Sequence, residues 1–198
     1  ATGTLDAETR QALAERQQLI EQRATALAQT ALAEKAAWVR AIGNPPSSDR
    51  TVRSDRTYRG LGLRLHDYFI AKALRSLKPG GLAAFVTSSG TLDKMDATAR
   101  EHIAGMADLV GAIRLPEGSF RAEAGTDVIV DILFFRKRRA GETAGDGWLD
   151  LAEVRAATED EGAIRVNRYF AEHPNLVLGE HALRRGVYGP DETYTCLP

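Results

Sequence analysis

The hydrophobic pattern in the middle of the chain alternates between short apolar runs and amphipathic stretches. Four mostly apolar runs have the length of β-strands: residues 38–42, 82–88, 109–115 and 127–135. After the first run, apolar residues recur at every fourth position from Leu65 to Leu77, which predicts an amphipathic helix. A second helix is predicted from Asp93 to Met106. This order of elements predicts an α/β fold, an open sheet whose last strand is antiparallel.

The first 36 residues have a different pattern, that of one long helix. Residues 5–35 contain no glycine or proline and are rich in alanine, leucine, glutamate, glutamine and arginine, which favour helices. Leu13, Ile20 and Leu27 recur every seven residues and form a narrow apolar stripe. The stripe predicts a long N-terminal helix that either lies on the surface of the same domain or makes a coiled-coil contact.

Charge and glycine content divide the rest of the chain after residue 139. Residues 140–162 hold seven acidic residues, one arginine and several glycines, a composition that is typical of a linker. A short helix is predicted around residues 168–174, before a glycine-rich tail. The predicted organisation is a long helix (1–36), an α/β domain (37–139), and an acidic linker with a C-terminal appendage (140–198).

Composition argues against several classes of protein. The 198 residues are 43% hydrophobic and 27% charged, and no apolar run approaches the ~20 residues that a membrane helix needs. The single cysteine, Cys196, excludes an internal disulfide and a cysteine-based zinc cluster, and the four histidines are too scattered for a metal site. We therefore expect a cytoplasmic protein without a membrane span or a metal. The net charge of −1 does not mark a nucleic-acid-binding protein, so the distribution of charge has to be considered.

The Asn44-Pro45-Pro46 turn, close after the first apolar run, is the most informative short motif. Two prolines fix two φ angles and remove two backbone donors, and each keeps the preceding residue extended. The stiff turn would hold the Asn44 side-chain amide and the Asn44 and Pro45 carbonyls in a fixed arrangement. Such an arrangement can accept hydrogen bonds from an amino group. The alternative is a turn that only ends a strand.

A basic segment, residues 47–64, follows the turn. It contains five arginines and two aspartates: Arg50, Arg53, Arg56, Arg59 and Arg64, with Asp49 and Asp55. We interpret it as a partly mobile loop above the turn. The first four arginines either contact the phosphate backbone of DNA or form a solvated loop face.

Four segments in this order resemble adenine-specific DNA methyltransferases, most closely the methyltransferase domains of very large helicase-linked proteins of mobile elements. They are the turn at 42–46, the helix and Lys-Pro-Gly-Gly motif at 66–81, the strand and exit loop at 85–93, and the closing hairpin at 113–137. A weaker resemblance extends over residues 167–174. The resemblance implies a partial Rossmann-like class I methyltransferase sheet, S-adenosylmethionine as cofactor, DNA as partner and a place in restriction-modification.

The resemblance also implies roles for the residues of the turn. The Asn44 side-chain oxygen and the Pro45 carbonyl would accept hydrogen bonds from the exocyclic amine of adenine and stabilise its developing charge, while Pro46 stiffens the turn. The methyl donor would sit in line behind the amine, and the base would leave the duplex. Phe120 would stack on the flipped base, a contact worth ~1–3 kcal/mol, unless it is a core residue of the hairpin.

This sequence departs from the family pattern at two places. Ser47 stands where the family carries an aromatic residue, so Tyr58 is the candidate for the missing ring. The glycine-rich loop and the acidic residue that would bind the donor are not found upstream of Asn44. The chain therefore resembles the second half of a catalytic domain, with an incomplete donor pocket that another chain or a donor-binding or helicase segment of a larger protein would complete. The alternatives are a non-catalytic DNA-binding or scaffolding module, and an enzyme that methylates a protein glutamine or an RNA guanine.

Overall fold

The structure is a computed structural model that describes most of the chain after residue 37. The described residues are Gln11, 38–46, 48, 50–120, 128–159, 161–185 and 192–198. Apart from Gln11, the predicted N-terminal helix at 1–36 lies outside the described residues. Residues 38–198 form one compact unit. Within its described parts, no helix is both long and apolar enough to cross a lipid bilayer.

A four-stranded mixed sheet forms the centre of this unit. Its strands are β1 (Trp38–Gly43), β2 (Leu77–Ser88), β3 (Ala107–Leu115) and β4 (Val130–Lys137). Their order across the sheet is β1-β2-β4-β3. β1 and β2 are parallel, whereas β4 is antiparallel to both of its neighbours. The predicted α/β fold with an antiparallel last strand is confirmed, and β1 is an outer strand of the described sheet.

The hydrophobic core lies on one face of the sheet. Phe85 and Phe135 are buried there in one cluster with residues of helix α1 (Leu65–Ser76). Side chains alternate between the two faces of a strand, so their sequence neighbours Ala84 and Phe134 point to the opposite face. Phe134 is exposed on that face, beside a partly buried Ala84. The apolar runs of β2, β3 and β4 therefore form strands that are buried on one side, whereas the described residues of the outer strand β1 are exposed or partly buried.

The second predicted helix, Asp93 to Met106, is shorter than predicted. The helix α3 covers only Thr98–Ala104, and a separate short helix, α2 (Gly90–Asp93), ends where the predicted helix was to begin. Between them, Oδ1 of Asp96 accepts hydrogen bonds from the backbone N–H and the hydroxyl of Thr98, at 2.9 and 2.6 Å. An aspartate that bonds to the backbone two residues later offers the chain an alternative to a continued helix.

Residues after 139 contain strands that the sequence did not predict. They form two antiparallel hairpins, β5 (Leu151–Arg155) with β6 (Ile164–Asn167) and β7 (Glu180–Arg185) with β8 (Glu192–Leu197). The predicted short helix is present as α4 (Arg168–Glu172), and its N-cap Asn167 accepts a hydrogen bond from the Tyr169 N–H. Trp148 and Phe170 belong to the same hydrophobic core as the sheet. The division of the chain at residue 139 stays a prediction.

Candidate functional site

Asn44 is exposed at the carboxyl end of β1, directly after the last strand residue. Pro45 is buried and Pro46 is partly buried, so the turn is anchored by its prolines and open at the asparagine. Ile42, two residues before Asn44, is 86% exposed. The side-chain amide of Asn44 is therefore accessible to a molecule that approaches this edge of the sheet.

The carboxyl end of β2 runs beside the turn. β1 and β2 are parallel with Gly43 opposite Phe85, so Asn44 continues alongside the last residues of β2, which ends at Ser88. In α/β sheets, ligands bind at the carboxyl ends of parallel strands. The turn is thus at the edge of the sheet where this architecture places binding sites.

Phe120 is near the same edge of the sheet, at the side away from Asn44. It follows the carboxyl end of β3 within a turn and is partly buried. β2 and β4 separate β1 from β3, and three steps of ~4.8 Å place those strands about 14 Å apart. A bound base that contacts both Asn44 and Phe120 would have to lie across the ends of the two central strands. Residues 121–127 and Ser47 lie outside the described residues.

Tyr58, the predicted replacement for the missing aromatic ring, is buried in the hydrophobic core. It is 2% exposed, and its ring makes edge-to-face contacts with Tyr68 and His102, with ring centres 5.2 and 5.5 Å away. Burial raises the pKa of the Tyr58 hydroxyl. The ring would have to leave these contacts and expose apolar surface before it could stack on a base.

The predicted DNA-backbone residues are all exposed: Arg50, Arg53, Arg56 and Arg59. They belong to the arginine loop, which we define as residues 50–64. The loop closes on itself through an antiparallel bridge between Thr51 and Arg64, and Val52 N–H donates to the Leu63 carbonyl at 3.3 Å. A compact loop whose ends meet in this way is an Ω-loop, a type that is frequently functional.

A buried polar cluster at the start of α1 was not predicted. His66, Asp67 and Thr91 are all buried, and His66 Nε2 lies 3.4 Å from Asp67 Oδ1. Burial raises the pKa of Asp67, while the charge of His66 and a hydrogen bond with Thr91 oppose the shift. The hydroxyls of Thr91 and Thr87 are 3.3 Å apart, which connects the cluster to β2. The amphipathic pattern of α1 predicted apolar residues at the buried positions, so it gave no signal for this cluster.

A second unpredicted cluster joins β3, β4 and α2. The fully buried Arg114 donates two hydrogen bonds to Asp131, from Nε to Oδ1 and from Nη2 to Oδ2, both at 2.8 Å. Its Nη1 lies 2.7 Å from Oδ2 of Asp93. Burial alone would lower the pKa of Arg114, but the charges of Asp131 and Asp93 raise it well above its usual value. Arg114 and Asp131 are directly opposite each other in the paired strands. The signal for this cluster in the sequence was a charged residue within each of two apolar runs.

Comparison with known proteins gives partial matches. The chain is 30% identical over 102 residues to the Defense against restriction protein B of Escherichia phage P1, over 50% of this chain and 4% of that protein. No protein-family profile matches the chain. This chain thus spans a small part of its curated relative, and the activity and partners of the whole protein do not transfer by similarity alone.

Solved structures show weak likenesses. A proposed class I S-adenosylmethionine-dependent methyltransferase from Listeria monocytogenes has a TM-score of 0.45 and 22% identity, over 57% of this chain and 36% of that one. The M protein of the type I restriction enzyme EcoKI has a TM-score of 0.36 and 18% identity, over 64% of this chain and 28% of that one. The α/β fold described above rests on the order and polarity of the strands.

Proposed function

We propose that this chain supplies the catalytic turn and the target-base side of an S-adenosylmethionine-dependent methyltransferase that acts on the exocyclic amino group of adenine in DNA. The observation that carries the proposal is the exposed amide of Asn44, in a proline-stiffened turn at the carboxyl edge of an α/β sheet. The name of the phage relative, a protein of defence against restriction, supports a role connected with restriction-modification.

The turn suits the chemistry of a weak nucleophile. The lone pair of the adenine amino group is delocalised into the ring, which makes the nitrogen unreactive. Hydrogen bonds from its two N–H groups to the Asn44 side-chain oxygen and the Pro45 carbonyl would localise the lone pair and stabilise the positive charge that develops. Pro45 and Pro46 keep both acceptors in place, so little reorganisation is needed. S-adenosylmethionine, when bound, supplies a methyl group activated by its sulfonium.

In this proposal the methyl donor binds beside the outer strand of the sheet. β1 is an outer strand of the described sheet, and the exposed Ile42 offers apolar surface beside Asn44. No described strand lies beyond β1. Another chain, or a donor-binding or helicase segment of a larger protein, would supply the groups that bind the ribose and the amino-acid part of the donor.

DNA is held through its backbone and through one flipped base. The exposed arginines of the arginine loop contact phosphates, a term that weakens as salt increases. Phe120 supplies the stacking ring, and Ser47, which follows Pro46 in the sequence, is a further candidate for a contact with the base. Tyr58 could stack on the base only after it leaves the core, so Phe120 is the better candidate for the stacking ring.

The test is transfer of a labelled methyl group from S-adenosylmethionine to duplex DNA, by the protein as its gene encodes it. Asn44→Ala removes one of the two acceptors, and loss of one preorganised group of this kind lowers kcat by roughly 10²–10³-fold. Asn175→Ala is the matched control, because Asn175 is also an exposed asparagine, in the short helical turn at Pro174–Leu176. Equal activity of the wild type and the Asn44→Ala variant would contradict the assigned role of the turn.

A second candidate function is a non-catalytic methyltransferase-like module that binds DNA or scaffolds an assembly. It is favoured by the open outer side of β1, where no described strand lies that could contact a methyl donor. Calorimetric titration of S-adenosylmethionine into the protein as its gene encodes it separates the two functions. Micromolar binding would contradict the scaffold, and absence of binding with retained DNA affinity would support it.

A further inference from the structure

Asp55 is the internal anchor of the arginine loop. Its Oδ2 accepts hydrogen bonds from Lys72 Nζ at 2.8 Å and from the Tyr68 hydroxyl at 3.1 Å. Its Oδ1 accepts from the Thr57 N–H at 3.0 Å. Its carbonyl accepts from the N–H groups of Tyr58 and Arg59, at 3.1 and 2.9 Å. Five hydrogen bonds thus converge on one residue in the middle of the loop.

The partner of Asp55 is a buried lysine. The side chain of Lys72 is 3% exposed and that of Asp55 is 18% exposed, and Lys72 also donates to the Tyr68 hydroxyl at 2.7 Å. Burial alone would lower the pKa of Lys72, but its hydrogen bonds to Asp55 and Tyr68 raise it. A buried ion pair contributes little net stability to a helix face, since apolar residues of similar volume often stabilise it equally or more. Its effect here is to fix where the carboxylate of Asp55 points.

The direction of Asp55 determines the charge of the outer surface of the loop. Because the carboxylate is turned toward α1 and paired with Lys72, it does not neutralise the exposed arginines that flank it, Arg53 and Arg56. The loop is braced a second time where Arg59 Nε donates to the Arg53 carbonyl at 3.0 Å. The result is a closed loop with a paired acid inside and positive charges outside.

We propose that Asp55 and Lys72 are positioning residues that present the arginine loop as a preformed binding surface for the phosphate backbone of duplex DNA. The inference rests on the proposed function, in which the loop contacts DNA. It adds that the affinity depends on a residue pair that does not itself touch the nucleic acid. A loop that is ordered before binding does not lose its conformational entropy on binding.

The experiment measures the affinity of the protein as its gene encodes it for a labelled duplex, by fluorescence anisotropy over a series of salt concentrations. In the Asp55→Asn variant we expect Kd to increase about 5–30-fold, the factor that corresponds to the cost of ordering one residue of the backbone. A plot of the logarithm of the association constant against the logarithm of the salt concentration should become less steep, by ~0.9 in the magnitude of its slope for each phosphate contact that is lost. Lys72→Met should have the same effect, since it frees the carboxylate of Asp55 to pair with the arginines.

Asp108→Asn is the matched control. The side chain of Asp108 is also 18% exposed and also forms ion pairs, with Arg136 and Arg138, but it lies at the start of β3 and not in the loop. It should leave both Kd and the salt slope unchanged. Circular dichroism checks that each variant is folded, and Lys72→Met replaces Asp55→Asn if the latter fails to fold.

A quadruple variant with Arg50, Arg53, Arg56 and Arg59 each replaced by Gln separates positioning from general destabilisation. If Asp55 acts through these arginines, adding Asp55→Asn to the quadruple variant should cause no further loss of affinity. An equal further loss in the quadruple variant, or equal effects of Asp55→Asn and Asp108→Asn, would overturn the inference. Wild-type protein without salt-dependent DNA binding would instead refute the proposed DNA partner.

Discussion

Removal of the buried Arg114, near the carboxyl end of β3, should be among the most destabilising single changes in this protein. In Arg114→Met, the carboxylate of Asp131 loses both of its 2.8 Å hydrogen bonds while remaining fully buried. Loss of one partner from a buried ion pair costs about 3–5 kcal/mol. Domains of ordinary size have a free energy of unfolding of about 5–15 kcal/mol, so this one change removes a large share of it.

Urea denaturation gives the magnitude, with the buried Trp148 as a fluorescence probe. With an m-value of about 2 kcal/mol/M, the midpoint should fall by about 2 M. Arg136→Gln is the control, because its ion pairs with Asp108 and Glu142 are partly exposed and such pairs contribute about 0–1 kcal/mol. The double variant Arg114→Met with Asp131→Leu should recover the part of the loss that comes from Asp131, since it leaves no unpaired charge in β4, while Asp93 still lacks its partner. Similar midpoints for Arg114→Met and Arg136→Gln would refute the burial argument.

Two further predictions concern acid stability and close packing. Burial alone would raise the pKa of Asp55, but hydrogen bonds from Lys72 and from the loop lower it below its usual value of 3.8. The ionised Asp55 therefore contributes its full stabilisation above pH 3.8, and this stabilisation is lost as the pH falls through the lower pKa of the folded state. In Asp55→Asn the free energy of unfolding should therefore decrease less steeply as the solution becomes acidic. The same pH dependence in the wild type and the variant would contradict the stabilising role of the Asp55–Lys72 pair. Gly179→Ala should lower the free energy of unfolding by about 1–3 kcal/mol, because an added Cβ would overlap the carbonyl of Leu197. Gly147→Ala, where no atom lies within 4 Å of the added Cβ, should leave the thermal midpoint unchanged, and equal effects at both glycines would contradict the packing at β8.

The strands of the central sheet could be predicted because each is a nearly continuous apolar run. Periodicity reports which side of an element is buried, and this was sufficient to place the Asn44 turn at the end of a strand. It does not report which strands pair. The pairing of Arg114 with Asp131 is set by the register of β3 and β4, and single charges in two apolar runs did not reveal it.

Local composition gave no signal for two features of the structure. The acidic residues of 140–162 predict a linker, and β5 lies within this segment, where Glu153 pairs with Arg165 across the hairpin at 3.7 Å. Tyr58 is the candidate for the ring missing at Ser47 if it moves in from the loop. Its burial depends on contacts with Tyr68 and His102, which are distant in sequence and leave no local pattern.

The most direct test of the account identifies the methylated nucleoside. Duplex DNA is incubated with S-adenosylmethionine and the protein as its gene encodes it. The DNA is then digested to nucleosides, which are identified by mass spectrometry. We expect N6-methyladenine with the wild type and with Asn175→Ala, and roughly 10²–10³-fold less with Asn44→Ala. The same amount of N6-methyladenine from the Asn44→Ala variant, or a methyl group found only on another base, would contradict it.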